Sequence, residues 1–305
     1  MTVATVRSGG GIRQRSQDWA LKRAERGVAP ILSKRRLWSW SVLAFLTVVA
    51  IIWILPFVYM VDVSFRLPQD VFNPALIVSH FTLANWQTVI DGNALGHYFL
   101  NTIVISVAGM LITVGFAAAF AFGVSVLHLP FSKLLYSLVL LTLMVPLAAL
   151  VVPLAQILKQ FGWLNTYWGL IIPYAALGVP FATVILKGFM ETFPVELVDA
   201  ASVDGATTWQ FFTRIVLPIL RPSLVFIGIW EFITCWNEFF LALIVMSEDV
   251  KKTLALVPQQ YGGVYQGNPG ALFAVLVMCA APLIVIYLVV QHWFVAGLLE
   301  GAVKG

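Results

Sequence analysis

Between two long apolar segments lies the stretch PVELVDAASVDGATTWQFFTRIVLPILRP, residues 194–222. It is polar and punctuated, although the chain around it is mostly hydrophobic. Three prolines and Gly205 interrupt it, and the chain's 14 acidic residues include four that fall in or just before it: Glu191, Glu196, Asp199 and Asp204. Such a segment is expected to leave the apolar environment and to meet water or another protein.

The order of residues in this stretch predicts two helices joined by a tight turn. Pro194 suits the first turn of a helix, where a missing N–H has no cost. Gly205 ends that helix because it can adopt the left-handed conformation. Thr207 and Gln210 have the spacing of a capping box that starts a second helix, and Pro218 is expected to stop it. The first helix is short and small-faced, which fits either a groove in a partner protein or packing on its own chain.

Composition places the whole chain in a membrane. Hydrophobic residues make up 60% of it and charged residues 10%, with a mean hydropathy of +0.92, whereas soluble domains are about 45–50% apolar and about 25% charged. A spanning helix needs roughly 20 apolar residues, and the first apolar run is too long to be a cleaved signal peptide. The sequence predicts an all-α membrane protein with six transmembrane helices, at about 37–61, 100–127, 134–158, 167–189, 222–246 and 271–295.

The distribution of charge predicts the orientation of these spans. Residues 1–36 contain nine basic and two acidic residues, a net charge of +7, although the whole chain carries only +4. A basic block before the first span favours a cytoplasmic N-terminus, and six spans return the C-terminus to the same side. This block is either an interfacial helix or a topology signal. The predicted segments are therefore a cytoplasmic tail (1–36), an external loop (62–97), a transmembrane core (98–291) containing the cytoplasmic loop 190–221, and a cytoplasmic tail (296–305).

Polar residues within the apolar runs are candidates for a solute pathway, because intramembrane charge is costly. Glu231 and Glu238 are seven residues apart, so a helix places them on one face, and aromatic side chains nearby can stack on a sugar ring. The alternative is that these groups form hydrogen bonds for structural reasons alone. The full candidate set is Glu231, Thr234, Trp236, Asn237, Glu238, Asn101 and Tyr174.

Four stretches of the chain resemble segments of one known family. Asp199-Ala200-Ala201, Asp204-Gly205-Ala206, Phe212, Leu217-Pro218 and Pro222 resemble the EAA loop of binding-protein-dependent ABC importer permeases, with Asp199 where glutamate is usual. CWNEFFLAL (235–243), FLNTIVIS (99–106) and the C-terminal QHWFVAGLLEGAVKG (291–305) resemble segments of carbohydrate permeases similar to the smaller membrane subunit of the maltose transporter. His292 stands where that C-terminal segment usually has arginine.

The resemblance implies the type I ABC importer transmembrane fold and a permease that works by alternating access in the cytoplasmic membrane of a prokaryote. It implies a second homologous permease subunit, two ATP-binding cassette subunits that bind ATP and magnesium, and an extracytoplasmic substrate-binding protein. This chain itself has no G-x-x-x-x-G-K-[ST] phosphate loop and is predicted to be neither an enzyme nor a cofactor carrier. The residues implied in coupling to the ATPase are Glu196, Asp199, Ala200, Ala201, Asp204, Gly205, Ala206, Phe212 and Pro218.

Other classes fit the sequence less well. The leading alternative is a secondary transporter driven by an ion gradient, which would require internal repeats and intramembrane ion ligands. The four histidines are scattered, and Cys235 and Cys279 lie in apolar runs, so the sequence predicts neither a metal site nor a disulfide. The basic residues are concentrated before a span rather than along a binding face, which favours a partnership with membrane lipid and none with nucleic acid.

Overall fold

The computed structural model describes residues 40–73, 80–92, 94–127, 129–262 and 267–302, and the side chains of the last helix as far as Gln291. The predicted N-terminal tail, 1–36, and the side chains of the predicted tail 296–305 lie outside this part. In the described ranges the fold is all-α, and Arg66 and Phe81 form an isolated β-bridge. The helices are α1 (Trp40–Ser64), α2 (Ala84–Asp91), α3 (Leu95–Ser125), α4 (Ser132–Thr142), α5 (Leu147–Gln160), α6 (Trp168–Met190), α7 (Val195–Val203), α8 (Thr208–Ile219), α9 (Arg221–Asn237), α10 (Phe240–Val245), α11 (Pro258–Tyr261) and α12 (Pro269–Ala302).

Four of these helices are long and apolar enough to cross a membrane: α1, α3, α6 and the first part of α12, Pro269–Gln291. Two further spans result if each of two bent helix pairs is counted as one, which gives up to six. The chain divides into two compact units at Tyr59, and the second unit, Met60–Gly305, contains every contact described below.

The bent pairs differ from the continuous spans that the sequence predicts. The predicted span 134–158 is two helices, α4 and α5, that meet at 101°. Pro146 precedes α5 with an extended backbone, because proline fixes φ and disfavours a helical conformation in the residue before it. The second bent pair is α8 and α9, which meet at 76°, so it begins before the predicted span 222–246. That span is divided at a different point, since α9 ends at Asn237 and α10 begins at Phe240.

The second unit is built around α3 and α6, which pack along each other, with α9 across α3. Small buried residues of α3, including Ala117, Ala118 and Ala121, allow the helices to approach closely. One apolar cluster joins these alanines to α8, and a second joins the first two turns of α6 to α10. A third packs α12 against Trp236 of α9.

The segment after α1 is organised by one buried arginine. Arg66 forms an ion pair with Asp62 and donates hydrogen bonds to the carbonyl oxygens of Asp70 and Asn73. Its own carbonyl accepts a hydrogen bond from Asn85 of α2. A buried guanidinium requires such partners, so these contacts fix the connection between α1 and α2.

Candidate functional site

Helix α7 lies in the polar stretch and has defined ends. Pro194 directly precedes it, one residue before the position that the sequence predicts for it, with an extended backbone that sets the start of the helix. At the other end Gly205 has a φ of 71°, and the N–H of Ala206 donates a hydrogen bond to the carbonyl of Ala201. The left-handed glycine therefore reverses the chain immediately after the helix, as the sequence predicts.

The capping box at the start of α8 is confirmed. The Thr207 hydroxyl accepts a hydrogen bond from the Gln210 backbone N–H at 3.2 Å, and the Gln210 side-chain oxygen accepts one from the Thr207 backbone N–H at 2.8 Å. Two N–H groups that would otherwise lack partners are thereby satisfied. Only three residues, 204–206, and the cap Thr207 separate α7 from α8, so the two helices are held close together.

Pro218 does not stop the second helix, in contrast to the sequence prediction. Helix α8 continues to Ile219 through a widened π turn, Phe212–Val216, in which the Leu217 N–H donates to the Phe212 carbonyl. A wider turn accommodates a proline ring that would clash with the carbonyl four residues earlier in a regular helix. The 76° bend toward α9 comes after Ile219 instead.

The two sides of α7 have different surroundings. Glu196, Asp199, Ala200 and Asp204 are exposed, and Val203 is 87% exposed. Ala201 is buried in the cluster that contains Phe122, Phe211 and Phe212. Its small side chain is therefore needed for packing within this chain. Of the two alanines expected on the docking face, only Ala200 is therefore available to a partner.

Aromatic rings connect this segment to the core. The ring of Phe122, near the end of α3, lies 4.9 Å from the ring of Phe212 and 6.1 Å from that of Phe211. Trp209 packs on Phe212 at 5.8 Å and is itself 70% exposed. Phe212, which the resemblance assigns to coupling, thus joins the helix pair to α3 rather than facing outward.

A separate pocket of about 260 Å³ contains much of the candidate solute pathway. It lies between α6 and α9, with the bend between α4 and α5 on its third side. Trp230 and Phe181 form an aromatic pair on its wall, with ring centroids 5.2 Å apart. Four of the predicted pathway residues line it: Tyr174, Glu231, Thr234 and Glu238.

Glu238 occupies the break between α9 and α10. One of its carboxylate oxygens accepts a hydrogen bond from the Tyr174 hydroxyl at 2.6 Å, and the two oxygens accept further bonds from the backbone N–H groups of Leu241 and Ala242 at 3.0 and 3.2 Å. The carboxylate therefore satisfies the first N–H groups of α10, in the manner of a capping residue.

Glu231 is buried in the wall of the same pocket, where α3, α6 and α9 meet. Its carboxylate accepts hydrogen bonds from the Thr113 hydroxyl at 3.2 Å and the Cys235 thiol at 3.6 Å. A Cβ atom at Gly178 would lie 2.3 Å from this carboxylate. Glycine at 178 therefore makes room for the acidic group.

Three predicted pathway residues lie elsewhere. The Asn101 amide donates hydrogen bonds to the carbonyls of Val250 and Lys252 and accepts one from the Tyr167 hydroxyl. It therefore anchors the loop that contains Val250 and Lys252. Trp236 is buried against α12, and its indole donates to the Cys279 carbonyl, which leaves no free ring face for a sugar. Asn237 is exposed, but its amide bonds the Ile233 carbonyl and it does not line the pocket.

Several residues of the pocket were not predicted as pathway residues from the sequence. Gly178 and Phe181 of α6 line the pocket, and Thr113 of α3 bonds Glu231 without lining it. No local pattern relates these residues to Glu231. The one available signal was a glycine between two prolines, Pro173 and Pro180, in an otherwise apolar helix.

A larger cavity, of about 830 Å³, lies beside α7. It is lined by the ends of α3, α4 and α6, and Lys187 there lies over the ring of Tyr136 at 4.5 Å and pairs with Glu191. It contains none of the predicted pathway residues. Within the described part of the chain, no three His, Cys, Asp or Glu side chains are grouped as metal ligands.

Known proteins resemble this chain over most of its length. It is 32% identical over 276 residues to the trehalose transport system permease protein SugB of Mycobacterium tuberculosis, covering 90% of this chain and all of that one. It is 32% identical to the trehalose/maltose transport system permease protein MalG of Thermococcus litoralis, covering 84% and 93%. A crystal structure of a bacterial ABC transporter involved in the import of the acidic polysaccharide alginate superposes with a TM-score of 0.74 at 20% identity, covering 85% of this chain and 97% of that chain.

The solved structure shares the fold, and the two relatives align with 90% and 84% of this chain. A family model for binding-protein-dependent transport system inner membrane components matches residues 111–299, which include α7, α8 and α9. The chain therefore belongs to this family, the membrane permease components of ABC importers.

Proposed function

We propose that this chain is a permease subunit of an ATP-driven importer for a sugar or a related polyhydroxylated solute. The observation that carries the proposal is the pocket in which the Trp230–Phe181 pair faces the same space as Glu231 and Glu238. Two relatives named for trehalose and for trehalose/maltose transport support the same class of solute.

This lining suits a sugar for chemical reasons. An aromatic ring presents a flat apolar face to the C–H side of a sugar ring, while carboxylate oxygens accept hydrogen bonds from its hydroxyl groups. Thr234 and Trp230 are both exposed, so these groups are open to a solute. A pocket of mixed aromatic and polar lining is the usual form of a small-molecule site.

We further propose that α7 transmits the energy of ATP hydrolysis. Its exposed side chains, from Glu196 to Gly205, dock in a cleft of an ATP-binding cassette subunit, and the aromatic contacts of Phe212 carry the movement to α3. Two such subunits bind ATP and magnesium, a second homologous permease completes the pathway, and a substrate-binding protein delivers the solute from outside. Alternating access follows from movement of the helices around the pocket.

The proposal also specifies the cellular location of the chain and its orientation in the membrane. The chain spans the cytoplasmic membrane of a prokaryote with both termini in the cytoplasm, so that α7 faces the ATPase. The family match is to binding-protein-dependent transport components, which gives the ion-gradient alternative no support.

The test is a Glu238→Gln substitution in the reconstituted importer, with labelled trehalose and maltose as probes. Glutamine keeps the size of the side chain but cannot accept all three hydrogen bonds on two oxygens. We expect ATP-dependent uptake to fall about tenfold, equivalent to about 1.4 kcal/mol, while basal ATPase activity is retained. The control is Glu248→Gln, an exposed residue outside the pocket.

A parallel loss of uptake and basal ATPase activity, together with a lower yield of complex, would contradict the pathway role. In that case Glu238 would act only as the cap of α10. Absence of ATP-dependent uptake of either sugar by the unmodified importer would contradict the choice of these sugars.

A further inference from the structure

The pocket between α6 and α9 carries acidic groups and lacks basic ones. Among the described residues that line it, Glu231 and Glu238 are acidic, and none is lysine, arginine or histidine. The remaining lining is aromatic, aliphatic or hydroxylated. Fixed charge of one sign in a partly enclosed apolar site determines which solutes can enter, because water screens it poorly there.

Hydrogen bonding fits an ionised carboxylate at Glu238, whereas both donors to Glu231 meet one of its oxygens. Glu238 receives three donors on its two oxygens, from Tyr174, Leu241 and Ala242. Glu231 receives the hydroxyl of Thr113 and the thiol of Cys235. An ionised carboxylate accepts hydrogen bonds on both oxygens and donates none.

We propose that this pocket admits neutral polyhydroxylated solutes and excludes solutes that carry a carboxylate, sulfate or phosphate group. The inference rests on the proposed function, because it assumes that the solute passes through this pocket. A neutral sugar gains hydrogen bonds from Glu238 and Thr234 and an aromatic face from Trp230. A uronic acid or a sugar phosphate would instead bring a further negative charge next to two carboxylates, with no lining cation to offset it.

The test places a reporter thiol in the pocket. Thr234→Cys is introduced with Cys235→Ser and Cys279→Ser, because Thr234 is exposed and lines the pocket and Cys235→Ser keeps a donor for Glu231. The full importer complex is then treated with three methanethiosulfonate reagents of similar size: one neutral, one cationic and one anionic. Labelling rates are measured in the resting complex and with ATP and vanadate, and each is divided by the rate for free 2-mercaptoethanol.

We expect the anionic reagent to react at least about tenfold more slowly than the neutral one after this normalisation, and the cationic reagent to react at least as fast. Adding Glu231→Gln and Glu238→Gln should remove most of this difference. The order of the normalised labelling rates for the three reagents, measured with both glutamates present, decides the test by itself. The test therefore does not depend on the folding of the glutamine variants.

Equal normalised rates for the anionic and neutral reagents would overturn the inference and leave the proposed function standing. A charge-ordered rate, with no ATP-dependent uptake of any labelled sugar or polyol by the unmodified importer, would support the selectivity of the pocket and contradict the proposed function. The two failures are therefore distinguishable.

Discussion

At position 178 of α6, any side chain larger than a hydrogen atom would collide with the buried carboxylate of Glu231. The Cβ of Gly178→Ala would lie 2.3 Å from that carboxylate, which would have to leave Thr113 and Cys235. We expect a loss of about 1–3 kcal/mol in stability and reduced uptake, measured by thermal unfolding of the complex and by labelled-sugar transport.

Gly188→Ala is the matched control for that substitution. Gly188 lies in the same helix, and a Cβ there meets nothing within 4 Å. Alanine should therefore be neutral or stabilise the helix by up to about 1 kcal/mol. Equal effects of the two substitutions would show that Gly178 has no special relation to Glu231.

The sequence alone predicts the structural roles of some residues better than those of others. The capping box of Thr207 and Gln210 was predictable because both partners lie within three residues. Glu238 was predicted as a pathway residue, with structural hydrogen bonding as the alternative, but its contact with Tyr174 was not predictable because that residue is 64 positions away. Trp236 was assigned to the pathway from its side-chain chemistry, but packing against α12 decides its place.

Among the elements, α7 depends on the left-handed residue that ends it. Gly205 has a φ of 71° with open space around its Cα, so Gly205→Val strains the backbone without causing a collision. β-Branched residues are disfavoured there by about 1–2 kcal/mol, and we expect the exit from α7 to shift. The expected result is an assembled complex whose ATP hydrolysis no longer drives uptake.

Gly162→Val provides the comparison for the turn after α7. Gly162 has a φ of 68° and equally open surroundings, but it follows α5, away from the proposed docking helix. It should cost similar stability and leave the ratio of uptake to ATP hydrolysis unchanged. If Gly205→Val retained normal coupling in reconstituted vesicles, the proposed role of this turn would be wrong.

The two neighbouring alanines of α7 separate docking from folding. Ala200→Leu adds bulk on the exposed side and should reduce co-purification of the ATPase subunits without affecting the fold of this chain. Ala201→Leu overfills the buried cluster and should destabilise the chain itself by about 1–3 kcal/mol. Co-purification and thermal unfolding measure the two effects, and the opposite pattern would reverse the assignment of faces.

The helix breaks show why element boundaries were only partly predictable. Apolar periodicity located α3 and α6 to within a few residues, because each is one uninterrupted helix. It did not divide 134–158, although Pro146 is a local signal for the break before α5. It did not divide 222–246, because the position of Glu238 at the break depends partly on Tyr174, 64 residues away. Pro218 marked no boundary, because the π turn before it absorbs the missing hydrogen bond.

At the scale of the whole molecule, the proposed topology places α7 and the segment 247–257 on opposite sides of the membrane. Val203 is 87% exposed and Val250 is 54% exposed, so a cysteine at either position is open to reagent. In intact cells, a membrane-impermeant maleimide should label Val250→Cys and not Val203→Cys, while lysed cells should show both. Labelling of Val203→Cys in intact cells would invert the orientation.

Helix α3 is longer than a membrane is thick. Its 31 residues extend about 46 Å, compared with a hydrocarbon core of about 30 Å, so it is long enough to cross the core at a tilt or with residues outside it. Thr113, which touches Glu231, and Phe122, which touches Phe212, lie nine residues apart on it, or about 14 Å. In the proposed coupling, a push on the aromatic end reaches Glu231 through one unbroken helix, so the bending stiffness of α3, rather than a relay of side chains, would set how closely the two ends move together.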